Sequence, residues 1–179
     1  MPRLPLDTPL DDELRDVFAA ASNNRQPPLN LHRQMAHAPA VLVAYHQTRC
    51  ALEDHGVLDH RTRFAVMLVV AAVEQVPYTI AVNSVLATRV GFSVAQIDAI
   101  VQGQDCGEQQ LDALLAVARS AAANRGAVSE AVFQDALAAG YSDTELAEAF
   151  VSIQLASFVD HFTNNAQTPF YVPTAAEAA

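Results

Sequence analysis

Apolar residues along this chain recur at the three- and four-residue spacing of helices, and Pro and Gly separate one helical stretch from the next. No stretch alternates apolar and polar residues over the length of a strand. Leu14, Val17 and Phe18 follow helical spacing, and Thr8 followed by Pro9 predicts the N-cap of this first helix. The pattern predicts an all-α protein.

The most apolar stretch, residues 64–73, has apolar side chains on every side of a helix and is expected at the centre of the fold. Pro77 interrupts this pattern, because proline inside a helix removes a hydrogen-bond donor and clashes with the preceding turn. A second helix is expected from Pro77 to a cap at Gly91. Residues 93–96 and 142–145 have the spacing of capping boxes and predict two further helix starts.

The composition, charge and length of the chain limit its possible chemistry, its partners and its number of domains. All 10 basic residues of the 179 are arginine, which excludes Schiff-base and P-loop chemistry because both need a lysine amine. The net charge of −10 repels nucleic acid and anionic membranes, so we expect neither as a partner. The length, with no linker or composition shift, predicts a single domain over residues 1–179. No apolar run approaches the ~20 residues of a membrane span, and we expect a cytoplasmic protein.

Metal and disulfide motifs are not found. Cys50 and Cys106 are far apart, so neither a metal knuckle nor a Cys-x-x-Cys pair can be formed from them. The histidines have no cysteine or acid at a spacing that completes a ligand set. We therefore expect no metal and no cofactor.

The buried helix is followed by a break containing Tyr78 and Asn83 and then by a helix that ends in Arg-Val-Gly-Phe-Ser. In this order of parts the chain resembles the carboxymuconolactone decarboxylase and alkylhydroperoxidase-D-like (AhpD-like) superfamily. Further similar segments extend the resemblance over about residues 29–169, with 170–179 expected as a flexible tail. It implies an AhpD-like domain of six to eight helices around the 64–73 helix. It also implies self-association as a dimer or a trimer-based hexamer.

The redox motif of that superfamily is degenerate here. Redox-active members carry Cys-x-Tyr-Cys-x-x-x-His at the break and a glutamate upstream. This sequence has Val76 and Thr79 at the two cysteines, Asn83 at the histidine and Phe64 at the glutamate, while Tyr78 keeps its type. A thiol peroxidase of the family's kind is therefore excluded at this site, because no thiolate or relay remains.

Groups near the break can still take part in chemistry. The start of a helix inside a core exposes backbone N–H groups that are not hydrogen-bonded, and several polar side chains lie nearby in the sequence. Glu74 is a candidate acid or base. Alternatively, it is only a charged residue that ends the core helix at the surface. His161 is the second candidate for proton transfer. Asn83 either binds a ligand or hydrogen-bonds neighbouring backbone, and Tyr78 is either a pocket residue or a packed aromatic. The expected ligand pocket is lined by Val76, Tyr78, Thr79, Asn83, Ser157 and Asn164.

Two functions follow from these residues. The first is a cofactor-independent enzyme, a decarboxylase or related lyase, that moves a proton on a small molecule with His161 or Glu74 as acid or base. The second is a non-catalytic protein that binds a small ligand or serves in oligomeric interactions. A third reading, a peroxidase-related protein, follows only from the name of the family and not from the residues of this chain. A hydrolase built on Ser157 and His161 is not expected, because no orienting acid is evident.

Overall fold

The computed structural model describes residues 1–7, 9–22 and 28–170. Within these residues the chain forms nine helices and no strand. They are α1 (Asp12–Ala21), α2 (Asn30–Met35), α3 (Pro39–His55), α4 (His60–Glu74), α5 (Pro77–Arg89), α6 (Val94–Val101), α7 (Gln109–Ala123), α8 (Glu130–Ala138) and α9 (Asp143–Ala166). The all-α prediction is confirmed. The count of nine among the described residues exceeds the six to eight helices that the resemblance implies.

The described residues group into two compact units, of which the second contains His55–His161. Its centre is α4, which packs against α5, α6 and α7. Leu68, Val69 and Val70 of α4 are buried, as the apolar pattern predicts, whereas Met67 and Val73 on the same helix are only partly covered. Leu114, Leu146 and other apolar side chains of α7 and α9 complete the same core.

The first unit contains residues up to Asp54 and residues from Phe162 onward. Its two chain segments are joined by the buried amide of Gln34. The Gln34 Nε2 donates to the Leu4 carbonyl at 2.8 Å, and its Oε1 accepts from Thr168 Oγ1 at 2.5 Å. Met35 and Leu42 are buried in this unit. The single domain over residues 1–179 stays a prediction. The tail expected over residues 170–179 lies outside the described residues, apart from Phe170.

Most helix starts lie where the capping signals predict them. Ser93 and Gln96 form a complete capping box at α6, and Ser142 with Glu145 forms the same reciprocal pair at α9. The first helix differs, because Asp11 caps it by accepting from the Leu14 N–H at 2.9 Å. The proposed cap Thr8 lies outside the described residues, and the helix begins later than expected.

None of the helices that the structure describes is both long and apolar enough to cross a bilayer.

Candidate functional site

The break between α4 and α5 is a Schellman motif with an unusual residue in it. Gln75 adopts the left-handed conformation at φ 55°, where glycine is the common choice. The Val76 N–H donates to the Ala71 carbonyl at 3.1 Å, which closes the motif. Pro77 is the first residue of α5, where its missing N–H costs nothing. The motif ends α4 at Glu74 and turns the chain directly into α5.

Glu74 lies between two side chains of α9. Ser157 Oγ donates to Glu74 Oε1 at 2.6 Å, and His161 Nε2 lies 3.4 Å from Glu74 Oε2. The second distance is longer than an ordinary hydrogen bond. Glu74 Oε2 is shielded from solvent and accepts no hydrogen bond from the described chain. One oxygen of this carboxylate is thus oriented by a hydroxyl, and the other can still accept a proton.

The two candidate proton-transfer residues differ in exposure. The Glu74 side chain is 14% exposed, whereas that of His161 is 76% exposed. The carboxylate is therefore held largely out of water, while the imidazole beside it reaches solvent. An acid or base in this position can exchange protons with water through the histidine.

Asp160 adds a second carboxyl group to the site and is only 1% exposed. Its burial, followed by the nearby charge of Glu74, raises the pKa of Asp160 to about 7, although a hydrogen bond with Thr79 acts in the opposite direction. A buried carboxyl group beside a second one is expected to hold its proton at higher pH than an exposed one. Helical spacing places Asp160 on the face of α9 next to that of Ser157 and His161, but the sequence does not predict it as a proton-transfer or pocket residue.

The sequence carries a signal that identifies Asp160. Ala149, Ile153 and Ala156 form a buried stripe along α9, and Asp160 occupies the next position of that stripe, followed by Thr163. An acid in an apolar stripe is rarely buried without a partner. This signal indicates a functional or hydrogen-bonded carboxyl group even before the fold is known.

Four of the predicted pocket residues lie on α5 or at its start. Thr79 is buried and its Oγ1 donates to the Val76 carbonyl at 3.2 Å. Asn83 is buried and its Nδ2 donates to the Met67 carbonyl at 3.3 Å, which is the backbone hydrogen bond given above as its alternative role. Val76 and Tyr78 are buried as well.

Asn164 belongs to the first unit, where its side chain is exposed. The structure thus gathers Glu74, Ser157, His161, Asp160 and Thr79 at the end of α4, the start of α5 and one part of α9.

Two hollows on the surface, of about 400 and 510 Å³, are lined by other residues. Among the described residues, no group of three or more His, Cys, Asp or Glu side chains is arranged to hold a metal ion.

Solved structures with the same fold are found, although no protein-family model and no curated protein matches the sequence. One is the alkylhydroperoxidase AhpD core of an uncharacterized peroxidase-related protein from Ralstonia eutropha JMP134, with a TM-score of 0.84 and 16% identity over 98% of this chain and 94% of that one. Another is an uncharacterized peroxidase-related protein from Silicibacter sp. TM1040, with a TM-score of 0.79 and 15% identity over 98% of this chain and 92% of that one.

A third similar structure is a cysteine-to-alanine variant of the debrominase Bmp8 in complex with 2,3,4-tribromopyrrole. Its TM-score is 0.78, with 18% identity over 99% of this chain and 96% of that one. The fold of this chain is therefore the AhpD-like fold, as the resemblance implies. At these identities the likeness establishes the fold, while the chemistry has to be argued from the residues of the site.

Proposed function

We propose that this protein is a cofactor-independent enzyme that transfers a proton on a small carbonyl- or carboxyl-bearing molecule, as a decarboxylase or related lyase does. Glu74 acts as the base and His161 as its acid partner. The observation that supports this most is Glu74 Oε2, which is shielded from solvent, accepts no hydrogen bond from the described residues and lies 3.4 Å from an imidazole nitrogen.

The order of the three side chains favours proton transfer over acyl transfer. In a Ser-His-Asp triad the imidazole lies between the hydroxyl and the carboxylate. Here the carboxylate of Glu74 lies between Ser157 and His161, so the hydroxyl orients the base and has no imidazole to activate it. Ser157 is therefore a positioning residue in this proposal.

The proposed step begins when Glu74 Oε2 removes the proton from a carbon next to a carbonyl group, and the electron pair of that C–H bond moves onto the carbonyl oxygen. His161 then supplies a proton to the carbon or to the oxygen. In a decarboxylation the C–C bond breaks instead, the electron pair stays on the substrate as CO₂ leaves, and the acid protonates the carbon. Neither reaction consumes an oxidant or a reductant.

Exchange of carbon-bound hydrogen for deuterium tests the proposal directly. The wild-type protein is incubated in D₂O with small β-keto acids, carboxylated lactones and 2,3,4-tribromopyrrole, the ligand of the similar debrominase, and exchange is followed by ¹H NMR. We expect Glu74→Gln to slow exchange by about 10²- to 10⁴-fold, the usual contribution of a general base. His161→Ala is expected to slow it as well, while His55→Ala, which removes another exposed histidine, leaves it unchanged.

The contrary results are equally specific. Exchange that is no faster than without protein across the whole panel, or that is unaffected by both site variants, rejects the enzymatic proposal. Hydroperoxide turnover that needs a thiol and is lost in Cys50→Ser would reject it in favour of peroxidase chemistry.

The second candidate is a non-catalytic binding protein, favoured by the replacement of the whole redox motif. A ligand that raises the melting temperature without exchange or turnover would support it.

A further inference from the structure

The first unit has a surface hollow of about 400 Å³, and none of the candidate-site residues lines it. Its volume lies within the range of small-molecule binding sites, about 300–1,000 Å³. Most of the described residues that line it are apolar. They are Leu6, Pro9, Leu10, Phe18, Pro28 and Ala36. The hollow therefore offers an apolar surface to a small molecule.

The two other described residues of the lining, Arg33 and Asp7, are charged and form an ion pair. Arg33 Nη2 donates to Asp7 Oδ1 at 2.5 Å. The cation of the hollow thus binds a carboxylate, and that carboxylate comes from the chain itself.

This ion pair lies largely in water on the side of Asp7. The Asp7 side chain is 93% exposed, whereas that of Arg33 is 31% exposed. An ion pair with so exposed a partner contributes little, because water hydrates the separated carboxylate almost as well. A second carboxylate that carries an apolar group can therefore compete with Asp7, because only the competitor gains from the burial of apolar surface.

Arg33 is also held by contacts that do not involve Asp7. Its Nε donates to the Leu6 carbonyl at 3.1 Å, and its Nη1 lies 3.5 Å from Asn30 Oδ1. A guanidinium has five N–H groups, so these contacts and Asp7 leave two of them for a ligand. A carboxylate can bind Nη1 and Nη2 together while the Leu6 contact keeps the guanidinium in place.

Two acids at the start of α1 have partners of their own. Asp11 Oδ1 accepts from the Leu14 N–H at 2.9 Å, and Asp12 pairs with Arg15 at 3.0 Å. Neither acid is among the described residues that line the hollow. Asp7 is thus the carboxylate with which an anionic ligand competes for the hollow.

We infer that this hollow is a binding site for a monocarboxylic acid with an apolar body, and that the carboxylate of the ligand replaces that of Asp7 on Arg33. The apolar body then packs against the apolar residues of the lining. This site belongs to the first unit and does not depend on the function proposed for Glu74. Octanoate is a suitable probe, because it combines a carboxylate with a flexible alkyl chain.

Isothermal titration calorimetry of the full chain at neutral pH tests this site with octanoate, acetate and 1-octanol. We expect octanoate to bind, and the other two to bind at least about tenfold more weakly, because each lacks one part of the ligand. Arg33→Gln should weaken octanoate binding by about tenfold or more, since it removes a charge-assisted contact. The matched change Arg15→Gln, on an arginine that does not line the hollow, should leave the affinity unchanged.

Asp7→Asn should act in the opposite direction. It removes the competing carboxylate and should tighten octanoate binding about two- to fivefold, which is the range that an exposed ion pair is worth. Asp12→Asn removes a similarly exposed acid and should leave the affinity unchanged. Because the Asp7 side chain is exposed, Asp7→Asn keeps the test decisive if Arg33→Gln does not fold.

No binding of octanoate, equal binding of 1-octanol, or an affinity that Arg33→Gln does not lower overturns the inference. Octanoate binding that Asp7→Asn weakens or leaves unchanged overturns it as well. The two proposals fail separately, because hydrogen exchange that depends on Glu74 is measured on its own.

Discussion

The carboxyl group of Asp160 shows how burial changes the chemistry of a single residue. Burial and the charge of Glu74 raise the pKa of Asp160 from 3.8 to about 7 in the folded chain. The folded state binds this proton more tightly than the unfolded chain does. The stabilisation from Asp160 is therefore complete below about pH 4 and is lost as the pH rises through about 7.

Asp160→Asn should flatten this part of the stability profile. A shift of this size corresponds to at most about 4 kcal/mol between pH 4 and pH 8. We expect the free energy of unfolding of the wild type to fall by a large part of that amount over this range, and that of Asp160→Asn to fall much less. Urea unfolding at several pH values measures it. Parallel curves for the two proteins would show that Asp160 does not titrate there.

At this scale some residues of the candidate site can be predicted from local sequence, whereas the contacts of Asp160 cannot. The position of Glu74 beside Pro77 and the helical spacing of Ser157 and His161 are readable from the chain, because they depend on local structure alone. The pairing of Asp160 with Thr79 joins α9 to α5 and depends on tertiary packing. No local pattern contains that contact.

Among the helices, α4 and α5 end in the same way with different residues. Both ends have a Schellman pattern, formed at α4 by Gln75 and at α5 by Gly91, whose φ angles are 55° and 98°. A residue with a side chain in the left-handed region costs roughly 1–2 kcal/mol relative to the ordinary helical conformation. Glycine avoids that cost, so α5 has the more favourable cap.

Substitutions at Gln75 and Gly91 provide a matched test of the two helix caps. Gln75→Gly should raise the free energy of unfolding by about 1 kcal/mol. Gly91→Ala should lower it by about 1–2 kcal/mol through the backbone alone, since a Cβ at Gly91 meets no atom within 4 Å. Chemical denaturation at one pH measures both. A loss of stability in Gln75→Gly would mean that the glutamine side chain stabilises the turn.

The elements themselves were largely predictable, because caps and prolines act over three or four residues. Ser93, Ser142 and Pro77 mark helix starts that the structure confirms. The start of α1 was not predicted correctly, since Asp11 and Thr8 are both good caps and the local pattern does not choose between them. The short helices α2 and α6 also form as separate elements.

For the molecule as a whole, self-association is the prediction that remains to be measured. A dimer or a trimer-based hexamer is implied by the resemblance, and large apolar side chains such as Val85, Val94 and Phe158 are exposed in the second unit. Light scattering after size exclusion should therefore give two or six times the mass of one chain. A single-chain mass that persists on raising the protein concentration would contradict it.

The residues of the proposed site also determine what the proposed reaction requires from its surroundings. Its reactive groups are carboxyl, imidazole and hydroxyl groups, none of which is altered by mild oxidants that attack thiols. Cys106 lies elsewhere, before α7, and burial raises the pKa of its thiol to about 11, while Cys50 belongs to α3. The proton transfer proposed for Glu74 should therefore proceed equally well with or without a reducing agent, which activity assays with and without dithiothreitol would measure.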